Sequence, residues 1–210
     1  MHGLINRAIQ CFVADTYGED RWAAAAQSAG IPVEGFEPML DYDDSVTDGL
    51  LDTVSQHLDK PDAAILEDLG TYLVSHETMR GIRRLLRFCG VSFVDFLHEL
   101  EDLPARARLA LPDLQLPDLE LREEAEGRYR LFVLSERRGW GDVMVGLLRA
   151  MADDYGALVL LEMAPGASAI AVIEIRLLDQ SHSEGRSFSL AGQGFGLTVA
   201  HGRSPAGGAA

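Results

Sequence analysis

The apolar positions in the first half of the chain recur at helical spacing. From Leu4 to Val13 they lie three or four positions apart, which places them on one face of a helix that ends at Gly18. The same period, bounded by capping residues, prolines or glycines, predicts helices over residues 22–30, 45–58, 61–73, 82–90 and 93–103. The first half is therefore predicted to be helical.

The second half changes to the short apolar segments that are typical of strands. Residues 119–121 and 129–137 predict one hairpin, and residues 157–163 and 169–178 predict a second hairpin around Pro165 and Gly166. A helix is predicted between them, from Trp140 to Tyr155, with Gly156 after its last turn. This order indicates an α+β fold, in which an N-terminal helical subdomain packs on a C-terminal antiparallel sheet with helices.

Length and charge narrow the class of protein. One domain is expected for 210 residues, followed by a partly disordered, glycine- and serine-rich extension over residues 179–210. The net charge of −15 argues against nucleic acid or an anionic membrane as a partner, because both require clustered Lys and Arg. No apolar run reaches the roughly 18 residues of a membrane span, and the first residues do not resemble a signal peptide. We therefore expect a cytoplasmic protein with reduced cysteines.

The sequence carries no sign of a catalytic centre. Its six histidines have no metal-ligand spacing, and no serine or cysteine lies in a nucleophile elbow or beside a recognisable base. The acidic residues 41–52 do not match a calcium loop, and the glycines of 192–196 do not match a dinucleotide fingerprint. The protein is predicted not to be an enzyme.

A candidate ligand site lies at the end of the predicted strand 129–137. Because side chains alternate along a strand, Val133, Ser135 and Arg137 are expected on one face. A hydroxyl and a guanidinium spaced in this way suit the carboxylates of a flat ligand, since a guanidinium pairs with a carboxylate through two hydrogen bonds. The alternative is a strand end whose polar side chains only meet solvent.

The order of several short motifs is more specific than any one of them. They are Met1-x-Gly-Leu-Ile-Asn6, Asp15-Thr-Tyr-Gly-Glu-Asp-Arg-Trp22, Tyr42-Asp-Asp-Ser45, Leu66-x-x-Leu-Gly70, Leu86-Arg-Phe-Cys-Gly90, Phe96-Leu-x-x-Leu100, Pro117 and Ser135-Glu-Arg137. In this order they resemble the haem-nitric oxide/oxygen binding (H-NOX) domain, the gas-sensing module of soluble guanylate cyclases and of stand-alone bacterial sensors. The resemblance covers about residues 1–178, with a helical part of about 1–60 and a mixed helix and sheet part of about 61–178.

The resemblance implies haem b between the helical half and the sheet half. Ser135 and Arg137 match two members of the family's Tyr-x-Ser-x-Arg propionate motif, and Pro117 matches the proline that presses on the porphyrin. Val133 stands where the motif has tyrosine, and Pro104 stands at the position of the iron-ligating histidine. The apolar residues expected over the ligand cavity are Leu4, Ile5, Leu73, Val143 and Leu147.

Pro104 has no side-chain donor atom for iron, although the first turn of a helix tolerates proline. The nearest histidine, His98, lies six positions earlier, about 9 Å along a helix axis. It is also off the apolar stripe of Phe93, Phe96 and Leu100, so it is expected to face solvent. No other side chain next to Pro104 is predicted to replace the histidine.

The resemblance implies a bacterial sensor domain that signals to a separate partner, such as a histidine kinase or a diguanylate cyclase. If haem is bound, nitric oxide or carbon monoxide is the expected ligand, because no tyrosine lies near Val143 to stabilise oxygen. Pro104 and Val133 leave two alternatives open. In the first, the pocket is retained and binds haem weakly, without a protein ligand to iron, or binds another carboxylate-bearing flat molecule. In the second, the pocket has closed and the domain acts only in protein interaction.

Overall fold

The computed structural model describes residues 1–164 and 170–179. Within them the helices are α1 (Gly3–Tyr17), α2 (Glu19–Ala29), α3 (Asp44–Leu58), α4 (Asp62–Ser75), α5 (Arg80–Arg87), α6 (Phe93–His98), α7 (Leu103–Ala110) and α8 (Trp140–Tyr155). The strands are β1 (Asp118–Ala125), β2 (Arg128–Leu134), β3 (Leu158–Ala164) and β4 (Ile170–Asp179). The predicted α+β fold is confirmed. The predicted turn at Pro165 and Gly166, and the extension from residue 180 onward, lie outside the described residues.

The four strands form an antiparallel sheet in the order β1-β2-β4-β3. Its inner face carries the alternate apolar residues, and the register places Leu131 opposite Ile173 and Tyr129 opposite Ile175. These four side chains are buried, whereas the outer face carries ion pairs such as Arg130 with Glu174. The sheet is therefore one-sided, as is usual for an antiparallel sheet that covers a core.

The core has two parts, which we call the helical-half core and the sheet-half core. The helical-half core lies between α1, α2, α3 and α4 and includes Phe12, Trp22 and Leu50. The sheet-half core lies between the sheet, α5, α6 and α8 and includes Phe96 and Leu148. Helices α4 and α8 lie at the boundary, because each contributes side chains to both parts.

Helices α4 and α8 are in backbone contact through two glycines. A Cβ atom on Gly146 would lie 1.8 Å from the carbonyl oxygen of Glu67, and one on Gly70 would lie 2.0 Å from the carbonyl oxygen of Val143. The hydroxyl of Thr71 also donates a hydrogen bond to the carbonyl oxygen of Gly146, at 3.3 Å. Only a residue without a side chain permits this separation, so the two glycines fix the distance between the helices.

Two predicted elements differ from the structure. The helix predicted over residues 93–103 divides into α6, a 3₁₀ segment at Leu100–Asp102 and α7. The ring of Pro104 cannot follow a continuous helix, because it clashes with the preceding turn and lacks an amide hydrogen, so a new helix begins there. The strand predicted to reach Arg137 ends at Leu134, since its partner strands begin at Asp118 and Ile170.

The glycine contact between α4 and α8 can be tested with Gly146→Ala. The added methyl group meets backbone atoms that cannot rotate away, so we expect a loss of about 1–3 kcal/mol in the free energy of unfolding, measured with urea. Gly49→Ala is the matched control, because Gly49 lies within α3 and has open space around it. This variant should be unchanged or stabilised by up to about 1 kcal/mol. Equal stability of the two variants would contradict the close contact.

Candidate functional site

A cleft of about 890 Å³ lies where the helical half meets the sheet half. It is formed by α3, the first turns of α4, the segment before β1 and the turn between β2 and α8. Three of the predicted site residues, Pro117, Ser135 and Arg137, line this cleft, and Pro117 is buried there. The structure therefore brings the predicted carboxylate clamp and the predicted porphyrin-contacting proline together.

The clamp lies on a turn and not on a strand face. The Ser135 hydroxyl accepts a hydrogen bond from the backbone N–H of Arg137 at 3.0 Å, which closes the turn after β2. Gly139 ends the turn at a φ of 91° and lies against Leu66 of α4. Val133 remains on the strand and is 1% exposed, inside the sheet-half core. The prediction that Val133, Ser135 and Arg137 share one strand face is therefore wrong, because β2 ends too early.

The guanidinium of Arg137 already binds two carboxylates of the protein. Its Nη2 donates a hydrogen bond to Asp48 Oδ1 at 2.5 Å, and its Nη1 lies 3.2 Å from Asp44 Oδ1. Asp44 and Asp48 lie one turn apart on α3, and the Arg137 side chain is only 19% exposed. We call these three residues the Arg137 latch, because they join α3 of the helical half to the turn of the sheet half. The latch uses the pairing that the sequence predicted for a ligand's carboxylates.

The remaining lining of the cleft is acidic. Besides Arg137 and Arg138, the charged side chains that line it are Asp44, Asp48, Asp52, Asp62, Asp118, Glu136 and Asp142. Burial raises the pKa of the Asp142 carboxyl, and the nearby charge of Glu67 raises it further. A hydrogen bond from the Met1 amine lowers the pKa of Asp44, and so does the charge of Arg137. This excess of negative charge opposes an anionic ligand unless the carboxylates of that ligand replace Asp44 and Asp48 at Arg137.

Pro104 is buried in the first turn of α7, as the sequence predicted for a proline at a helix start. Its neighbours Leu103 and Ala105 offer no donor atom. His98 is exposed, and its ring lies edge-on to Tyr129 with the ring centroids 6.0 Å apart. The prediction that His98 faces solvent is confirmed. Neither Pro104 nor His98 lines the cleft, so neither can ligate an iron atom there.

The five residues predicted over a ligand cavity are not gathered in the cleft. Val143 is buried in the helical-half core, and Leu147 is buried in the sheet-half core. Leu73 is half-buried against the helical-half core, Ile5 is also half-buried, and Leu4 is 37% exposed. Their role over a ligand stays a prediction.

Sequence reasoning missed three of the residues that define the cleft. Asp48 pairs with Arg137, Trp140 contacts both parts of the core, and Asp142 lines the cleft from the first turn of α8. The spacing of Asp44 and Asp48 by four positions was a usable signal, because it places both carboxylates on one helix face. No local pattern links that face to Arg137, which lies 89 positions beyond Asp48.

A family model described as Haem-NO-binding (HNOB) matches residues 2–163. The chain belongs to this family. The resemblance predicted from the motif order is thereby confirmed, and the chain is an H-NOX domain. H-NOX domains are a haem-binding and gas-sensing family, and they are sensor domains and not catalytic ones.

Curated relatives of this H-NOX domain are guanylate cyclases. The chain is 23% identical over 164 residues to soluble guanylate cyclase gcy-31 of Caenorhabditis elegans, which covers 78% of the chain and 23% of the relative. It is 29% identical over 92 residues to guanylate cyclase soluble subunit beta-2 of Rattus norvegicus, which covers 44% of the chain and 14% of the relative. The chain thus spans less than a quarter of the length of these relatives.

Solved H-NOX structures share the fold. A mutant H-NOX of T. tengcongensis superposes with a TM-score of 0.72 at 18% identity, covering 85% of this chain and 98% of that one. The Fe(II) unliganded H-NOX protein from K. algicida superposes with a TM-score of 0.71 at 18% identity, covering 85% and 97%. At this identity the likeness establishes the fold alone.

The described residues do not fit histidine-ligated haem. Pro104 and Val133, which the family resemblance aligns with the iron-ligating histidine and the motif tyrosine, are both buried and have no polar side-chain atom, and the Arg137 guanidinium is paired within the protein. In residues 1–164 and 170–179, no three or more His, Cys, Asp or Glu side chains are arranged to hold a metal ion. The same part of the chain has no helix that is long and apolar enough to cross a bilayer.

The Arg137 latch can be measured with a double-mutant cycle of Arg137→Gln and Asp48→Asn. We expect a coupling free energy of about 0.5–1 kcal/mol, because the pair is charge-assisted and partly shielded from solvent. It should decrease in high salt, which screens exposed charges. The control cycle uses Arg176 and Glu162, whose N and O atoms lie 3.8 Å apart on the outer face of the sheet. Urea unfolding gives both values, and equal coupling in the two pairs would contradict a latch at Arg137.

Proposed function

We propose that this H-NOX domain is a regulatory sensor module that works without histidine-ligated haem and signals to a partner protein. The observation that carries the proposal is the Arg137 latch, in which the residue that should hold propionates binds Asp44 and Asp48 instead. Pro104 at the axial position supports the same reading. Haem b, if it enters the cleft, would be held weakly and without a protein ligand to iron.

The input of such a module is a change in how the helical half sits on the sheet half. A molecule that carries carboxylates competes with Asp44 and Asp48 for Arg137, and Ser135 is the adjacent hydroxyl. A ligand shifts such an equilibrium only if it binds the open latch more tightly than the closed one. The candidate ligand is therefore flat and carboxylate-bearing, which includes haem and its gas adducts with nitric oxide or carbon monoxide.

The output is proposed to be regulation of a signalling enzyme. A histidine kinase or a diguanylate cyclase is proposed as a separate partner in the cytoplasm, and the curated relatives support a guanylate cyclase as a further class. The domain itself is proposed to be non-catalytic, in keeping with its family. Nucleic acid and anionic membranes are not proposed as partners, because the net charge is −15.

A second candidate function is a constitutive interaction module whose cofactor pocket has closed. The packing of Val143 and Leu147 into two different parts of the core favours it, because neither side chain is left to line a ligand cavity. This candidate differs from the first in one respect. It has no ligand that opens the latch.

Haem retention separates these possibilities. We expect the protein, expressed with a haem precursor, to show a Soret band far below one haem per chain. Pro104→His should raise retention by restoring an axial ligand. Adding Val133→Tyr should raise it further only if the sheet-half core around position 133 opens to admit the ring, and the hydrogen bond to a charged acceptor would then contribute about 1.5–3 kcal/mol. Ala105→His is the control, because this neighbouring position on α7 is exposed and should add no retention.

Two outcomes would change the proposal. Near-stoichiometric haem in the unaltered protein would contradict a module that works without the histidine ligand. No gain from the Pro104→His and Val133→Tyr pair would show a closed pocket, and the interaction module would then replace the first proposal. The absorption spectrum, recorded with and without nitric oxide, measures the haem content of the unaltered protein and of the double variant.

A further inference from the structure

Helix α5 presents an exposed apolar stripe in addition to its buried side. Leu86 and Cys89 point into the sheet-half core. On the other side Ile82 and Leu85 of α5 are exposed, and Phe88 and Val91, which follow the last residue of the helix, are 72% and 93% exposed. One exposed aromatic and three exposed aliphatic side chains within ten residues are more than isolated surface positions, and they favour an interaction site.

The same helix is the most basic part of the described chain. Four of its eight residues are arginines, whereas the whole protein has 18 Lys and Arg against 33 Asp and Glu. Arg83 and Arg87 pair with Asp154 of α8, and the Arg87 guanidinium lies 4.1 Å from the centre of the Tyr155 ring. These contacts hold one side of α5 against the core.

The other two arginines face solvent. Arg80 makes a surface ion pair with Glu77 at 3.0 Å, and both side chains are largely exposed. The Arg84 side chain is exposed, and its guanidinium has no partner among the described residues. We call Ile82, Leu85, Phe88, Val91, Arg80 and Arg84 together the α5 surface. It combines an apolar centre with positive charge at its edge.

The backbone that carries the α5 surface is held in place. The Asp95 carboxylate accepts hydrogen bonds from the backbone N–H groups of Val91 and Ser92, at 3.2 and 3.0 Å, and the Ser92 hydroxyl accepts one from Asp95. The Tyr155 hydroxyl donates a hydrogen bond to the carbonyl oxygen of Gly90 at 3.1 Å. A partner that binds here therefore orders little of the chain, which favours affinity.

We propose that the α5 surface docks an acidic protein segment that carries an apolar anchor, such as an amphipathic helix with Asp or Glu beside Leu or Phe. Charge complementarity carries this choice of occupant, because the four arginines of α5 outnumber the two carboxylates, those of Glu77 and Asp154, with which they pair. An anionic bilayer and a second copy of the chain are the other occupants that the test distinguishes. The proposal rests on the proposed function, since a sensor module requires a protein partner, and it names the surface that such a partner contacts.

The test uses the full chain and a fluorescein-labelled amphipathic peptide built from Glu, Leu and Ala. We expect saturable binding in fluorescence anisotropy, weaker at high salt, with amide chemical-shift changes centred on residues 80–91. The pair Phe88→Ser with Val91→Ser, and the pair Arg80→Glu with Arg84→Glu, should each weaken binding at least about tenfold. The control pair Val33→Ser with Met39→Ser removes exposed apolar side chains elsewhere and should leave binding unchanged. A peptide with Lys in place of Glu should not bind.

Several results would overturn the proposal. The proposal is wrong if the peptide does not bind, if all variants bind it equally, or if the amide chemical-shift changes lie outside residues 80–91. Binding of phosphatidylglycerol vesicles, lost with Phe88→Ser while the peptide does not bind, would assign the surface to a membrane. A dimer in sedimentation that Phe88→Ser dissociates would assign it to a second copy. The haem spectrum is independent of these readings, so failure of the proposed function and failure of this docking site can be distinguished.

Discussion

The backbone contact between α4 and α8 is the constraint on which the rest of this structure depends. Gly70 and Gly146 allow the two helices to approach until backbone atoms touch, and each helix contributes to both parts of the core. Helix α8 begins directly after the turn that carries Arg137, and α4 lines the same cleft with its first turns. The separation of the two halves at the cleft is therefore set by main-chain contact. In this arrangement the Arg137 latch adds a second connection across the cleft, made by side chains.

Most of the fold could be predicted from the sequence because its signals are local. The helical period up to Val13, the capping residues before α3 and the glycine after α8 each act within a few positions. The end of β2 could not be predicted in this way, since it depends on where β1 and β4 begin. The family resemblance supplied the positions of Pro117, Ser135 and Arg137 at one cleft. It did not supply the partner of Arg137, because that pairing joins two distant segments whose local patterns are already explained by helix capping and a turn.

The latch changes what a ligand must do at this site. The family resemblance implies a serine and an arginine that hold the propionates, whereas here two carboxylates on α3 already pair with the guanidinium. An intramolecular partner acts at an effective concentration of about millimolar or more, so a free carboxylate competes poorly unless other contacts add affinity. Iron ligation would be such a contact, and Pro104, which the family resemblance aligns with the iron-ligating histidine, has no side-chain atom to supply it. The axial substitution and the occupied arginine therefore reinforce each other.

Helix α8 connects the cleft to the α5 surface. Its first turn lies beside Arg137, and its last turn carries Asp154 and Tyr155, which hold Arg83 and Arg87 of α5. The helix has 16 residues and is therefore about 24 Å long. Backbone hydrogen bonds connect its successive turns, so the helix is a continuous connection from the cleft to Asp154 and Tyr155. Because these two residues support α5, any coupling between the latch and the α5 surface would pass through α8. The coupling requires two discrete arrangements of one element, and α8 is the element that reaches both places.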